Sequence, residues 1–166
     1  MSTFASLFWV SALLLDGECK TIETTIMGDS MQGILFDGQK VTVYTPACGA
    51  FERYDHMLFT HEETPNAVVK QLWGLPGDII EVNRNGSFTI NGVKALTPFK
   101  RDYRLVGAAR TRFKKLEGKP IDGYILLGHS GIEMGSTGSL DSGRFGLIPK
   151  ENIIGFIKRE EPYKPQ

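Results

Sequence analysis

The chain has 166 residues, 41% of them hydrophobic, and its 19 Lys and Arg balance 19 Asp and Glu to a formal net charge of zero. That length carries one compact core and excludes two large domains. The charge is unevenly spread, because Lys94 to Lys119 holds nine basic residues against Asp102 and Glu117.

Phe4 to Leu15 is apolar apart from Ser6 and Ser11, and no charge appears before Asp16. As a helix this run would reach about 18 Å, short of the roughly 30 Å hydrocarbon core, so its length excludes a full transmembrane helix. Met1-Ser2-Thr3 supplies no basic region of a secretory signal, and no clear small-residue cleavage site follows. Residues 1–20 therefore read either as a membrane-directed segment (an anchor or signal remnant) or as a buried terminal element. Cys19 and Cys48 make no metal pattern. They form one bridge in an oxidising compartment or stand as two thiols.

Met27-Gly28-Asp29-Ser30-Met31 opens the central part of the chain, followed by a turn at Asp37-Gly38 and a strand over Lys40–Tyr44. Further short strands are expected at Met57–Thr60, Ala67–Leu72, Ile79–Val82, Phe88–Ile90, Tyr124–Leu127 and Ile153–Ile157. Gly, Pro, Asn or Asp separate them. Asn83 to Ser87 reads as a hairpin loop and Ile90-Asn91-Gly92-Val93 as a tight turn. Tyr103 to Leu116 is the best helical candidate. The pattern predicts a mainly β, antiparallel domain.

Within the strand around Asn66 to Trp73, alternation places Val68, Lys70 and Leu72 on one face. Lys70 reads either as a residue that snorkels from a strand edge and keeps its ammonium in water or as a buried amine: an ordinary lysine titrates near ~10.4, leaving about one in a thousand neutral near pH 7.4, and a value near ~8 requires roughly 3 kcal/mol of differential interaction, which burial can supply. A neutral amine can act as base for a serine without any histidine. His56, His61 and His129 show no spacing that supports a Ser/His/Asp triad, and Gly28 to Gln32 lacks the second glycine of a nucleophile elbow. No phosphate loop, internal repeat or nucleic-acid motif is visible, although Tyr103 and Phe113 are interleaved with the basic residues. The basic stretch reads either as a surface for anionic lipid headgroups or as a solvated connection.

Gly74-Leu75-Pro76-Gly77-Asp78, directly after the lysine strand and followed by Ile79-Ile80-Glu81-Val82, resembles the segment that carries the catalytic lysine of type I signal peptidases. Ser30-Met31 resembles that family's nucleophile pair. Gly123 to Gly128, Ser139 to Pro149 and Asn152 to Gly155 resemble a third family segment. The resemblance implies a folded antiparallel sheet over residues 21–160, with 93–122 as a small basic insertion. It implies Ser30 as nucleophile, Lys70 as general base, Ser139 as a hydrogen-bonding partner of the lysine and Asp141 as the residue that orders the same loop. It further implies substrate contact around Met27, Gly28 and Met31, with shallow pockets near Thr24 to Met27 and Asp78 to Val82, and no cofactor or metal. Its expected substrates are signal-peptide-bearing preproteins at the periplasmic face of a membrane, or pilin precursors if the chain resembles the conjugative-transfer members; nucleic acid is not an expected partner.

Three departures from the family pattern stand out. Gln32-Gly33 occupies the place where a proline usually follows the Ser-Met pair, Gly143 intervenes before Arg144, and Gly128-His129-Ser130 replaces Gly-Asp-Asn. Two other readings stay open: a LexA-type self-cleaving Ser/Lys domain, and a non-catalytic β-barrel binding module.

Overall fold

The computed structural model describes residues 17–97, 99–128 and 139–159. The apolar run at Phe4–Leu15 and the His129-Ser130 pair lie outside the described residues. Among the described residues nine antiparallel strands form two sheets. The larger has the order β1-β2-β9-β3-β4-β8, built from Thr21–Thr25 (β1), Lys40–Tyr44 (β2), His56–Phe59 (β3), Val68–Gly74 (β4), Ile125–Leu127 (β8) and Ile153–Ile157 (β9). The smaller is β5-β6-β7: Ile80–Val82, Phe88–Ile90 and Val93–Lys94. Helices α1 (Gly107–Lys114) and α2 (Ser142–Phe145) are short.

The hairpins follow from local chemistry. Ile90 pairs with Val93 across Asn91 and Gly92, whose φ angles of 52° and 77° suit the tight primed turns that Asn-Gly favours. Val82 pairs with Phe88 across the Asn83–Ser87 loop. The predicted helix from Tyr103 is shorter than expected. Tyr103 N–H donates to Ala95 O and Leu105 N–H to Gly86 O, so tertiary pairing keeps this stretch extended until Gly107.

Alternation along the strands fills three apolar clusters. The first groups Trp73, Ile80, Phe88, Tyr103, Leu105, Ala109, Phe113 and Ile125 among others. The second contains Met57, Phe59, Leu72, Leu126, Ile148 and Phe156; the third contains Ile26, Met31, Leu35, Val41, Val43 and Ile157. The basic stretch is thus no loose connection. Its charged side chains alternate with Ala95, Tyr103, Leu105, Ala109 and Phe113, all buried.

Near the amino-terminal edge, Cys19 and Cys48 are joined by a disulfide that ties the entry to β1 to the 3-10 turn Pro46–Cys48. Of the two readings of these cysteines, the bridged one is what the fold adopts.

Candidate active site

Ser30 sits in a stack of tight turns between β1 and β2. Gln32 N–H donates to Asp29 O, Leu35 N–H to Met31 O, and Gly28 N–H to Asp37 Oδ1 at 2.7 Å. Met31, 2% exposed, points into the third cluster and anchors the turn from below. Its side chain is therefore unavailable to a substrate, and any contact there comes from its backbone. Met27 is its opposite, 90% exposed beside Gly28. At Gly33, φ is +98° and a Cβ would overlap the ring of Phe99, so this turn needs glycine where the resemblance expects proline nearby.

Lys70 reaches the same point from the sheet. It pairs with Met57 across β3 and β4, and alternation puts Val68 and Leu72 on its side of the strand. Only 3% of the residue is exposed, and Nζ lies 2.5 Å from Ser30 Oγ, to which it donates. Burial lowers its pKa from the ordinary lysine value, against the charges of Asp141 and Asp29, which favour the proton. Two residues 40 apart in sequence thus meet with their reactive atoms in hydrogen-bond contact.

The wall behind the lysine comes from the end of β8 and the start of α2. A Cβ on Gly128 would stand 3.1 Å from Lys70 Cδ, 3.2 Å from its Nζ and 3.2 Å from Ser30 O, so a larger residue would displace the amine. Asp141 organises this wall. Its carboxylate accepts from Gly128 N–H (3.1 Å), from Gly143 N–H (2.8 Å) as the cap of α2, and from Ser139 Oγ (2.6 Å). Ser139 donates to the carboxylate and not to the lysine, where the resemblance placed its bond. Ser142 Oγ accepts from Leu126 N–H at 2.9 Å and holds α2 to β8. Arg144 turns away to pair with the exposed Glu63, while Arg112 of α1 donates to Gly143 O. Sequence reading did not single out Arg112.

Asp78, which ends the Gly-Leu-Pro-Gly-Asp word, has a structural task. It is 7% exposed and accepts from Arg53 Nη1 (2.8 Å) and Nη2 (3.0 Å), Leu75 N–H (2.7 Å) and Asn91 Nδ2 (2.7 Å). Those bonds outweigh the cost of burial and hold its carboxyl below the usual carboxylate pKa. Ile80 and Val82 beyond it pack into the first cluster, so their side chains do not line the second shallow pocket that the resemblance led one to expect. Sequence reading did not single out Arg53 and saw Asn91 only as a turn residue, because their shared partner lies 25 and 13 residues away.

The signal peptidase (peptidase S26) family profile matches residues 3–159. The chain belongs to that family. Among relatives, this S26 chain is 30% identical over 141 residues to signal peptidase I of Bacillus licheniformis, an alignment covering 78% of the chain and 70% of the relative. It is 31% identical over 140 residues to signal peptidase I P of Bacillus subtilis subsp. natto (78% and 70% covered), and 28% identical over 159 residues to signal peptidase IB of Staphylococcus aureus strain COL (87% and 80%). The family makes it a peptidase of mainly β architecture. Among the described residues of this S26 chain no helix is long and apolar enough to cross a membrane, and no group of three His, Cys, Asp or Glu could hold a metal.

Proposed function

We propose that this S26 peptidase is a serine endopeptidase that removes signal peptides from exported proteins, with Ser30 as nucleophile and Lys70 as general base. The observation that carries the reading is the contact between Lys70 Nζ and Ser30 Oγ at 2.5 Å with the lysine almost fully buried. A desolvated amine with a lowered pKa loses its proton at a pH where an exposed lysine keeps it. The Ser30 hydroxyl then donates to the neutral amine and passes its proton as Oγ attacks the scissile carbonyl. The resulting ammonium protonates the departing amine, and the regenerated Lys70 activates the water that releases the acyl group.

Charge developing on the carbonyl oxygen needs donors already in place. Ser30 N–H is the one assigned here. Gly28 lends no hydroxyl, and its N–H is engaged by Asp37. Asp141 and Ser139 act through Gly128, fixing the wall against which the amine rests. Met27 and Gly28 lie at the surface beside the nucleophile and are the proposed substrate contacts. The Cys19–Cys48 bridge supports an extracytoplasmic place for the domain, since disulfides persist in oxidising compartments.

The test is cleavage of an exported preprotein or a prepilin in detergent by the wild type, Ser30→Ala and Lys70→Ala, with product ends read by mass spectrometry. The expected result is a defined cut lost in both variants. Activity surviving in either removes the assigned mechanism. Product mass also separates hydrolysis from end-joining, because an acyl-enzyme yields to water or to a peptide amine. Shortening of the purified chain itself would favour the self-cleaving alternative.

A further inference from the structure

We propose that Tyr103 is a positioning residue for the general base: its hydroxyl and the Asp141 carboxylate clamp the Gly128 peptide from opposite ends, and the clamped Gly128 keeps water from Lys70. The inference rests on the Ser30/Lys70 reading above. Tyr103 comes from the basic stretch, between the Gly-Leu-Pro-Gly-Asp segment and the Gly123–Gly128 segment.

Tyr103 is 1% exposed, its ring packed between Trp73 (centroids 5.0 Å apart) and Phe88 (6.1 Å). Its hydroxyl donates to Gly128 O at 2.8 Å, while Gly128 N–H donates to Asp141 Oδ2 at 3.1 Å. Both polar ends of one residue are thus tied to buried groups from two distant segments of the chain. Between them lies the Cα whose hydrogens face Lys70: a Cβ there would be 3.1 and 3.2 Å from the lysine's Cδ and Nζ. Burial and the nearby Asp141 charge both raise the Tyr103 pKa, so the phenol stays protonated and remains a donor throughout the working range.

The direction of its influence on Lys70 follows from the surrounding charges. Asp29 from the serine turn and Asp141 from the start of α2 both favour the ammonium, and burial alone opposes them. Anything that loosens Gly128 admits water, weakens that burial and leaves the two carboxylates in control. The Lys70 pKa then rises and the neutral base becomes scarcer.

Tyr103→Phe removes one oxygen and keeps the ring stack. The experiment measures kcat and KM of this variant against pH on a preprotein substrate, beside a titration of Lys70 by NMR in 13C-lysine-labelled protein, with the Lys70 signal assigned by its loss in Lys70→Met. Ser87→Ala is the control. It deletes another buried hydroxyl, next to Phe88 of β6, bonded to Asn83 and Asn85 and outside the site. For Tyr103→Phe the expected result is an acid limb displaced upward by about one pH unit, hence about a tenfold fall in kcat on that limb with recovery above it. KM stays unchanged and the NMR midpoint moves by the same amount; Ser87→Ala moves neither. An unmoved Lys70 midpoint in folded Tyr103→Phe overturns the proposal, as does a loss of rate that is uniform across pH. A midpoint that moves while activity ignores it leaves the clamp standing and rejects Lys70 as the base, so the two readings fail separately.

Discussion

Asp78→Ala isolates what the Gly-Leu-Pro-Gly-Asp word contributes. The carboxylate accepts four hydrogen bonds, from Arg53 Nη1 and Nη2, Leu75 N–H and Asn91 Nδ2. Removing one partner of a buried ion pair typically costs ~3–5 kcal/mol, since the other charge is left unpaired. Here the Arg53 side chain is 27% exposed and can recover water, which places the expected loss near the bottom of that range, about 3 kcal/mol. For a domain of this size each kcal/mol lowers Tm by roughly 2–4 °C, giving a fall of about 6–12 °C. Urea and thermal unfolding of Asp78→Ala against wild type measure it, with preprotein cleavage at a temperature where both are folded. A loss below about 1 kcal/mol would show that water replaces the knot at little cost, and a folded variant without activity would show that Asp78 belongs to the chemistry. The knot also sets a pH signature. Because its folded pKa is depressed, Asp78 stabilises above the ordinary carboxylate value of 3.8 and loses that contribution as pH falls through the folded value, so wild type should destabilise in acid more steeply than Asp78→Ala.

Lys70→Met should abolish cleavage yet melt no lower than wild type at neutral pH, because the folded state bears the cost of burying the Lys70 amine and an apolar side chain of similar length relieves it; a clear drop in Tm would contradict the view of Lys70 as held for function. The burial-lowered pKa means that the unfolded chain binds more protons than the folded one between Lys70's folded pKa and ~10.4. Stability from this residue therefore rises with pH across that interval, and the rise should be missing in Lys70→Met when unfolding is followed at several pH values. Gly128→Ala should reduce kcat by roughly 10–100-fold, as its Cβ pushes the amine away from Ser30, with KM little changed; an active Gly128→Ala enzyme would mean that the wall yields freely. Reduction of Cys19–Cys48, 29 residues apart, should cost about 3–4 kcal/mol by loop-closure entropy while leaving kcat intact below the melting transition, as a melt and an assay with and without reductant would reveal.

The strand pattern was legible wherever alternation and turn residues agreed. Lys40–Tyr44, Phe88–Ile90 and Ile153–Ile157 appear with the expected bounds, and the Asn91-Gly92 turn forms where its φ demands predict. Strand β1 escaped notice because Thr21–Thr25 is mostly exposed and polar, held by pairing with β2 and not by an apolar face. The length of α1 was overestimated because nothing local reveals that Tyr103 and Leu105 are drawn into pairing with Ala95 and Gly86. At the candidate site, the Ser30 turn and the Lys70 strand carried words of their own. Ser139's partner, the Arg53–Asp78 knot and the Tyr103–Gly128 bond depend on contacts across 25 residues or on a choice between nearby acceptors, and no periodicity encodes those.

Ser30 rides on one apolar cluster, Lys70 on a strand facing another, and the Gly128 wall is fastened by Tyr103 from the remaining one. The proposed Ser30/Lys70 pair consequently needs all three clusters packed before its atoms meet. A chain still assembling carries a lysine in water, protonated in all but about one molecule in a thousand at neutral pH, and a serine with no base. On the proposed mechanism, cleavage therefore waits on the packing of all three clusters.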